Sequence, residues 1–290
     1  MEIFARVVET GGFSAAAHQL KIAPSTVSKL IGRLESRLHT RLFQRSTRGL
    51  HLTDEGKAFY RRCTTILNDI AAAEEEAAAG DVPTGRLRVS VNVPVGHAFL
   101  LPAIPAFAAQ YPQVCLDLVL TDGIDDLVTG GADIAIRTGP LPASSLIARK
   151  LGDSRLCVVG SPVYFERSGT PNRPEDLDGH SCLDFTFPRE ETGWPFRIDG
   201  GRRMVRPKGK LRGADGETVR RLALSGAGIA RLAEFQVAQD IASGDLVEVL
   251  RDFDSGDRLD VHAVYAGSAR QLPARARVFI DFLVQSVRIS

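Results

Sequence analysis

The chain opens with a segment whose apolar residues recur with a helical period. The first helix is predicted from apolar positions that fall on one helix face, at Ile3, Phe4, Val7 and Val8. A glycine pair at residues 11–12 ends this helix, and Ser14, a residue type that caps helices, predicts a second short helix through Leu20. Pro24 suits the first position of a third helix, which we predict over residues 25–38.

The third predicted helix has two different faces. Its apolar residues follow the spacing i, i+3, i+4, i+7 and i+11, at Val27, Leu30, Ile31, Leu34 and Leu38. The opposite side is short, polar and cationic, and it carries Ser25, Ser28, Lys29, Gly32 and Ser36, with Thr26 and Arg33 on the flank. A helix of this kind after a tight turn is typical of one that enters the major groove of DNA. The alternative is a solvated helix in a small bundle.

The next segment predicts a β-hairpin. Residues 41–53 contain two short alternating runs around a turn, and the hairpin, or wing, carries Arg45 and Arg48. Arginines in a wing contact phosphates or the minor groove beside the recognition helix. The helices and the basic wing together favour DNA binding over the small bundle.

A long helix follows, capped by Thr53 and predicted to reach about residue 79. Its apolar positions are separated by 4, 3, 4, 3 and 4 residues, the heptad spacing of a coiled coil, at Phe59, Cys63, Ile66, Ile70, Ala73 and Ala77. We interpret them as a dimerisation seam; the alternative is a helix that lies on its own domain. A twofold dimer predicts a partially palindromic DNA target. Residues 80–85 resemble a hinge-like linker.

From residue 86 onward, predicted strands alternate with helices, which is typical of a parallel α/β sheet. Strands are predicted at residues 87–91, 114–121, 132–137, 155–160 and 261–265, and helices at 96–110, 123–129 and 273–287. Ligands of such sheets bind where the carboxyl ends of strands meet helix N-termini. The candidate effector-binding residues at these positions are Asn92, Val93, Pro94, Val95, Gly96, Arg137, Phe185, Thr186, Asp215 and Gly216.

The candidate effector site combines helix N-termini with Arg137, which indicates a small carboxylate as ligand. Arg137 is equally consistent with a structural ion pair. Asp215 and Glu217 weigh against an acidic ligand, and either carboxylate suits a ligand hydroxyl or amine instead.

Charge places a boundary in the chain that the net value of +1 conceals. The first 62 of the 290 residues carry 11 Lys/Arg against 5 Asp/Glu, a net +6, and the remainder carries 25 against 30, a net −5. A basic segment on an acidic remainder indicates a nucleic-acid-binding module joined to something else. The length predicts two or three domains.

Several classes of protein are disfavoured. No run approaches the roughly 20 apolar residues of a membrane span, so we expect no membrane contact. The N-terminus does not resemble a secretory signal. The scattered cysteines, Cys63, Cys115, Cys157 and Cys182, fit neither a zinc site nor a disulfide framework. They suit the reducing cytoplasm and predict buried thiols, with a redox sensor as the alternative.

The motifs of the basic segment resemble those of the LysR-type transcriptional regulators. The resemblance covers essentially the whole chain and rests on residues 13–17, 25–29, 31, 34–35, 42–45, 52–53 and Gly56. It implies base contacts near Ser25, Thr26, Ser28 and Lys29, and contacts to the DNA backbone from Arg33, Arg45, Thr47 and Arg48. Met1 falls inside the family's usual first helix, so the resemblance also predicts a truncated or misassigned start.

The resemblance implies a multidomain fold. An all-α winged helix-turn-helix domain occupies residues 1–56, and the linker helix and hinge occupy 57–85. An α/β effector-binding domain over 86–290 resembles type 2 periplasmic binding proteins, with lobe I at 86–160 and 267–290 and lobe II at 161–266. The resemblance further implies dimers that pair into tetramers, a small-molecule effector, and RNA polymerase as a partner of an activator.

Two other classes of function were weighed against a regulator. An enzyme is disfavoured because the sequence lacks a Walker loop, a G-x-S-x-G elbow, an H-E-x-x-H motif and paired cysteines, and we expect no cofactor and no metal. A transport-associated binding protein would leave the basic module unexplained. We therefore predict a cytoplasmic, nucleoid-associated regulator that binds promoter DNA and an effector.

Overall fold

The computed structural model describes residues 1–46, 49–77, 82–123, 132–141, 146–187, 193–266, 272–287 and 289. The chain forms two compact units, of which the first contains residues 1–82 and the second begins at Pro83. The predicted helix over 123–129 and the wing residues Thr47 and Arg48 fall largely or wholly outside the described residues.

The first unit consists of helices followed by a hairpin and a long helix. Its elements are α1 (Glu2–Glu9), α2 (Phe13–Leu20), α3 (Pro24–Leu38), β1 (Phe43–Ser46), β2 (Gly49–Leu52) and α4 (Asp54–Ala77). These elements confirm the predicted order, and Pro24 is the first residue of α3 as predicted. The prediction for Ser14 was wrong, since α2 begins one residue earlier and Gly12 is its N-cap.

The core of the first unit collects the apolar face of α3. Val27, Ile31 and Leu34 are buried together with Phe4, whose ring lies 5.2 Å from that of Phe43. Burial of a large apolar side chain is worth about 1.5–3 kcal/mol, so this shared core holds the helices and the wing together. The prediction was wrong for Leu38, which lies at the end of α3 and is exposed.

The first turns of α4 are buried on their own domain. Cys63 lies in the same core as Phe4, and Phe59 packs against it with its ring 5.2 Å from that of Phe4. The assignment of Phe59 and Cys63 to a dimerisation seam was therefore wrong, because side chains in the domain core are not available to a second subunit. Gly56 permits the close packing, since a Cβ there would lie 2.1 Å from the Leu42 carbonyl oxygen.

Glu35 fixes the wing to the recognition helix. Its Oε1 accepts the backbone N–H groups of Leu42 at 2.7 Å and Phe43 at 3.1 Å, and its Oε2 lies 3.5 Å from Arg41 Nη1. Thr53 closes the other end of the hairpin: its hydroxyl donates to the Arg41 carbonyl at 2.7 Å, and as N-cap of α4 it accepts the Gly56 N–H at 2.9 Å. The wing is thus held at both ends by side chains.

The second unit alternates strands and helices. Its strands are β3 (Gly85–Val91), β4 (Val114–Leu120), β5 (Ile134–Thr138), β6 (Ile147–Gly160), β7 (Asp184–Phe185), β8 (Trp194–Ile198), β9 (Gly201–Val205), β10 (Arg212–Gly213), β11 (Ala230–Ala233), β12 (Val247–Val249) and β13 (Arg258–Tyr265). Its helices are α5 (Val93–Val95), which continues through a π-helical turn (Gly96–Leu100) into α6 (Leu101–Gln110), α7 (Pro162–Ser168), α8 (Gly216–Leu224), α9 (Glu234–Ser243) and α10 (Ala274–Ser286). Short 3₁₀ helices lie at Pro174–Gly179 and Arg251–Phe253.

The main sheet is mixed rather than parallel. Strand β3 pairs in parallel with β4 and β5, whereas β13 runs antiparallel to both β5 and β6, and β11 and β12 run antiparallel to β6. The predicted parallel sheet is correct only for β3, β4 and β5. An alternation of strands and helices fixes strand direction only where each strand is followed by a crossover helix, and β6 does not have one before it among the described residues.

Strand β6 belongs to both lobes. Its first part pairs with β13, and its residues from Leu156 to Gly160 pair with β11 and β12. The hydrogen bonds of β13 to β5 place β13 on the first-lobe sheet, whereas the predicted boundary assigns it to lobe II. The pairing therefore puts the crossings between the lobes near residues 155 and 257 instead of 160 and 267.

The helical run Val93–Gln110 is long and apolar enough for a membrane span by length and composition alone. Its packing is that of a domain helix. Phe107 is fully buried, and its ring lies 5.0 Å from Phe279 and 5.3 Å from Phe282 on α10. Edge-to-face aromatic pairs of this kind add about 0.5–1.5 kcal/mol beyond area burial.

Replacing Glu35 by Ala is expected to loosen the wing. The change leaves two partly buried backbone N–H groups without their acceptor, which costs about 1–3 kcal/mol each at most. Hydrogen exchange of a peptide spanning residues 40–46 should become faster, and the free energy of unfolding of the full-length protein should fall. Glu55→Ala, an exposed carboxylate on α4, is the matched control. Equal exchange in both variants would contradict the role of Glu35.

Candidate nucleic-acid interface and effector cleft

The outer face of α3 presents the predicted DNA contacts together. The predicted base-contacting residues and the neighbouring phosphate contact are all exposed, namely Ser25, Thr26, Ser28, Lys29 and Arg33. Gly32 lies among them, and a Cβ there would meet no atom within 4 Å. The N-cap Ala23 makes no side-chain hydrogen bond, so in the described part of the chain no side chain caps this end of α3. Helix N-termini attract phosphate groups.

The wing is described only in part. The Arg45 backbone lies in β1, while its side chain and the whole of Thr47 and Arg48 lie outside the described residues. Arg41, directly before the wing, is 84% exposed at its side chain although it pairs with Glu35. A cation therefore stands beside the exposed face of α3 within the first unit.

The second half of the predicted seam on α4 differs from the first half. Ile66 is 40% exposed and Ile70 is 47% exposed, four residues apart on one side of the helix. Ala73 and Ala77 continue the helix, but their side chains lie outside the described residues. Two exposed isoleucines on one stripe form an apolar surface that the chain itself leaves open to solvent.

The first-lobe part of the effector cleft is built around a helix start. Asn92 caps α5 by accepting the Val95 N–H at 3.4 Å, and its own side-chain amide donates to Asp122 Oδ1 at 2.8 Å. The Val93 N–H donates to the same oxygen at 2.8 Å. Gly96 lies against Leu120, where a Cβ would be 3.0 Å from Leu120 Cγ.

Arg137 spans the ends of the parallel strands. Its Nη2 donates to the Ser90 hydroxyl on β3 at 2.7 Å and to the Gly123 carbonyl after β4 at 3.3 Å, and its Nη1 donates to the Ile136 carbonyl at 3.1 Å. These bonds give Arg137 a structural role of the kind weighed as the alternative. A ligand contact by Arg137 stays a prediction.

The second-lobe part of the cleft begins at α8. Asp215 caps this helix, because its Oδ1 accepts the Thr218 N–H and its Oδ2 accepts the Thr218 hydroxyl, both at 2.7 Å. Both oxygens of Asp215 are thus engaged by its own helix. Thr186 donates its N–H to the Gly213 carbonyl at 2.9 Å, and Phe185 pairs with Gly213 in the β7–β10 ladder.

Asp122 joins the two lobes, and the sequence analysis missed it. Besides Asn92 and Val93, the Gly216 N–H at the start of α8 donates to this carboxylate. Burial raises the pKa of the Asp122 carboxyl, and the nearby charge of Asp215 acts in the same direction. The hydrogen bonds and the positive charge of Arg137 oppose that rise in pKa.

The pattern of cysteine burial supports the interpretation as structural thiols for Cys63, Cys157 and Cys182, which are buried. Burial raises the pKa of the Cys157 and Cys182 thiols to about 12, so almost none of either is in the reactive thiolate form at neutral pH. Cys115 departs from the expectation because it is exposed on β4.

Two family models match the chain and meet near the boundary between the two units. The model described as "Bacterial regulatory helix-turn-helix protein, lysR family" matches residues 1–57, and the "LysR substrate binding domain" matches residues 80–288. The chain belongs to the LysR family. It is thus a LysR-type DNA-binding transcriptional regulator with an effector-binding domain.

Similar proteins support the same assignment. The HTH-type transcriptional regulator CrgA of Neisseria meningitidis serogroup C is 41% identical over 99% of this chain and 96% of its own length. The HTH-type transcriptional activator AaeR of Escherichia coli K12 is 32% identical over 98% of this chain and 91% of its own. These LysR relatives are transcriptional regulators rather than enzymes.

Solved LysR-type structures share the fold along the full chain. The structure of CrgA from Neisseria meningitidis matches with a TM-score of 0.65 at 41% identity, over 98% of this chain and 96% of that one. The full-length virulence activator AphB of Vibrio cholerae matches with a TM-score of 0.65 at 29% identity, over 98% and 97%. The winged helix-turn-helix and α/β effector-binding architecture predicted from the sequence is confirmed.

Proposed function

We propose that the protein binds a partially palindromic promoter site through α3 and responds to a small-molecule effector held in the cleft of its second unit. The observation that carries this proposal is the division of α3 into a buried apolar face and an exposed face of small polar and cationic residues. Side chains of this type donate hydrogen bonds to base edges and phosphates. RNA polymerase is the further partner if the protein activates transcription.

Dimerisation is proposed to use the exposed part of α4. Ile66 and Ile70 present an apolar stripe beyond the domain core, and Ala73 and Ala77 extend it in the sequence. Pairing the stripe with its copy would bury these side chains and place two copies of α3 on half-sites related by a twofold axis. Two dimers joined as a tetramer would bind linked half-site pairs with a higher effective concentration.

The effector is proposed to be a small carboxylate. The cleft brings together backbone N–H groups at the starts of α5 and α8, with Arg137 close enough to influence the same carboxylate position. These groups favour a negative charge. Effector binding would shift the angle between the lobes and with it the spacing of subunits on DNA in the cytoplasmic nucleoid.

Variants of α3 are expected to separate base recognition from phosphate binding. Lys29→Ala should relax sequence preference by about 1–3 kcal/mol at the contacted base, because one donor to a base edge is lost. Arg33→Ala should weaken binding to all sequences and reduce the slope of log K against log salt by about 0.9. Gel-shift titrations with matched, mismatched and unrelated duplexes at several salt concentrations measure both effects.

The control for the α3 variants is Lys57→Ala. Lys57 is an exposed lysine that pairs with Asp54 at 2.9 Å in the first turn of α4, away from α3. Its loss should leave both sequence preference and salt dependence unchanged. If Lys29→Ala and Arg33→Ala behave like Lys57→Ala, then α3 is not the recognition helix.

The dimer surface is tested by placing charge on the stripe. The double change Ile66→Glu and Ile70→Glu should raise the dimer dissociation constant on the order of a hundredfold, since it removes buried apolar area on both subunits. Light scattering across a concentration series measures the mass. Ala58→Glu, an exposed position on the same helix outside the stripe, should leave the dimer intact. An unchanged mass for the double variant would refute this surface.

The effector half of the proposal is tested with small carboxylates. A thermal-shift screen should find an acid that stabilises the protein by RT ln(1 + [L]/Kd), because the ligand binds only the folded form. DNase footprints with and without that acid should then differ in extent or affinity. Identical footprints and unchanged affinity with a bound acid would contradict effector control through the lobes.

A further inference from the structure

The carboxylate of Asp122 already occupies the position proposed for an anionic effector. It accepts the Val93 N–H and the Asn92 side-chain amide at 2.8 Å each, both from the first lobe, and the Gly216 N–H from the second lobe. We call this set of hydrogen bonds the Asp122 bridge. One side chain thus satisfies donors at the starts of two helices that belong to different lobes.

The lobes approach one another closely beside the Asp122 bridge. A Cβ at Gly216 would lie 2.8 Å from Pro94 Cγ of the first lobe, so only glycine permits this spacing without a shift. The rings of Phe99 and Phe235, one from each lobe, lie 5.2 Å apart nearby in the sequence of α5–α6 and α9. The bridge therefore stands at a closed contact between the lobes.

A further hydrogen-bond donor at this contact has no acceptor. The side-chain nitrogen Nε2 of Gln236 is buried and makes no hydrogen bond among the described residues. Its amide orientation is set by Oε1, which accepts the Ala233 N–H at 3.3 Å. A Cβ at Gly216 would lie 2.6 Å from this Nε2, which places the donor beside the Gly216 end of the bridge. A buried donor without an acceptor costs about 1–3 kcal/mol, so an acceptor supplied by a ligand is favoured there.

The balance of charges makes the Asp122 bridge replaceable. Desolvation is the largest influence on the carboxylate and disfavours its ionised form, and Asp215 adds repulsion. The N–H donors and Arg137 offset this cost. If another carboxylate took the donors, Asp122 would regain its hydration, so the exchange swaps one anion for another without leaving the donors unsatisfied.

From these contacts we infer that Asp122 is an internal anion that holds the lobes together in the effector-free protein, and that it determines specificity because an effector has to displace it. The inference rests on the proposed effector cleft and names the residue with which a carboxylate effector competes. An anion that does not replace the Asp122 bridge would face uncompensated repulsion from Asp122 and Asp215.

The test uses full-length protein and sodium acetate, with sodium chloride at equal ionic strength and pH as reference. Asp122→Ala removes the internal carboxylate and leaves its donors open to acetate. Its apparent affinity for acetate, from calorimetry or thermal shift, should exceed that of the unsubstituted protein by on the order of tenfold, because a competitor that fills the site about 90% of the time has gone. Asp117→Ala, an exposed carboxylate on β4 paired with Arg86, is the control and should respond as the unsubstituted protein does.

A second variant keeps the inference falsifiable if Asp122→Ala fails to fold. Asp122→Asn retains one acceptor oxygen and loses the other, so at least one helix-start N–H loses its acceptor. Hydrogen exchange of peptides that contain Val93 and Gly216 should be faster in Asp122→Asn than in Asp117→Ala. Unchanged exchange in these peptides, or acetate binding that is equal in all variants, overturns the inference.

The results also distinguish this inference from the proposed function. If Asp122→Ala gains acetate binding while no carboxylate alters the footprint of the unsubstituted protein, the internal anion is supported and the acidic effector is refuted. If a carboxylate alters that footprint while Asp122→Ala gains no affinity for carboxylates, the effector stands and the internal anion is refuted.

Discussion

The architecture of the second unit depends on one continuous strand that takes part in two sheets. Strand β6 hydrogen-bonds to β13 over its first part and to β11 and β12 over its last residues. The lobes are therefore joined through backbone hydrogen bonds as well as through the chain. At the point of change, Arg155 pairs with Glu234 at 2.8 Å and also bonds Glu248. Any change in the angle between the lobes has to be accommodated at this strand or at the contact across the cleft.

That limitation gives the cleft contact its importance. With the lobes fixed together at β6, the free energy that distinguishes one lobe angle from another resides in the groups that touch across the cleft. Asp122 and Gly216 form a polar contact there, and Phe99 and Phe235 form an apolar one. A ligand shifts a conformational equilibrium only by its differential affinity for the two states, so one that leaves these contacts unchanged has little leverage on the angle.

The first unit was predictable because local periodicity and core packing agree in it. The face of α3 read from Val27, Ile31 and Leu34 is the face that is buried. Periodicity failed on α4, where a spacing of 3.5 and one of 3.6 residues per turn differ little over a few turns. Phe59 and Cys63 therefore fit a coiled-coil seam in sequence while they pack in the domain core in the structure. The direction of β13 and β6 was lost for a related reason, since antiparallel pairing between distant segments has no local signal.

The cleft was predictable as a region but not as an interaction. Asn92, Arg137 and Gly216 were placed by the rule that ligands bind at strand ends and helix starts. Asp122 follows β4 as many loop aspartates follow strands, and nothing near it in sequence marks its role. Its importance arises because donors some 30 and 90 residues away converge on one carboxylate, which is a property of tertiary structure. Since that carboxylate is the acceptor the two helix starts would otherwise seek from a ligand, an anion site recognised from helix termini alone remains incomplete until the protein's own acidic side chains have been placed.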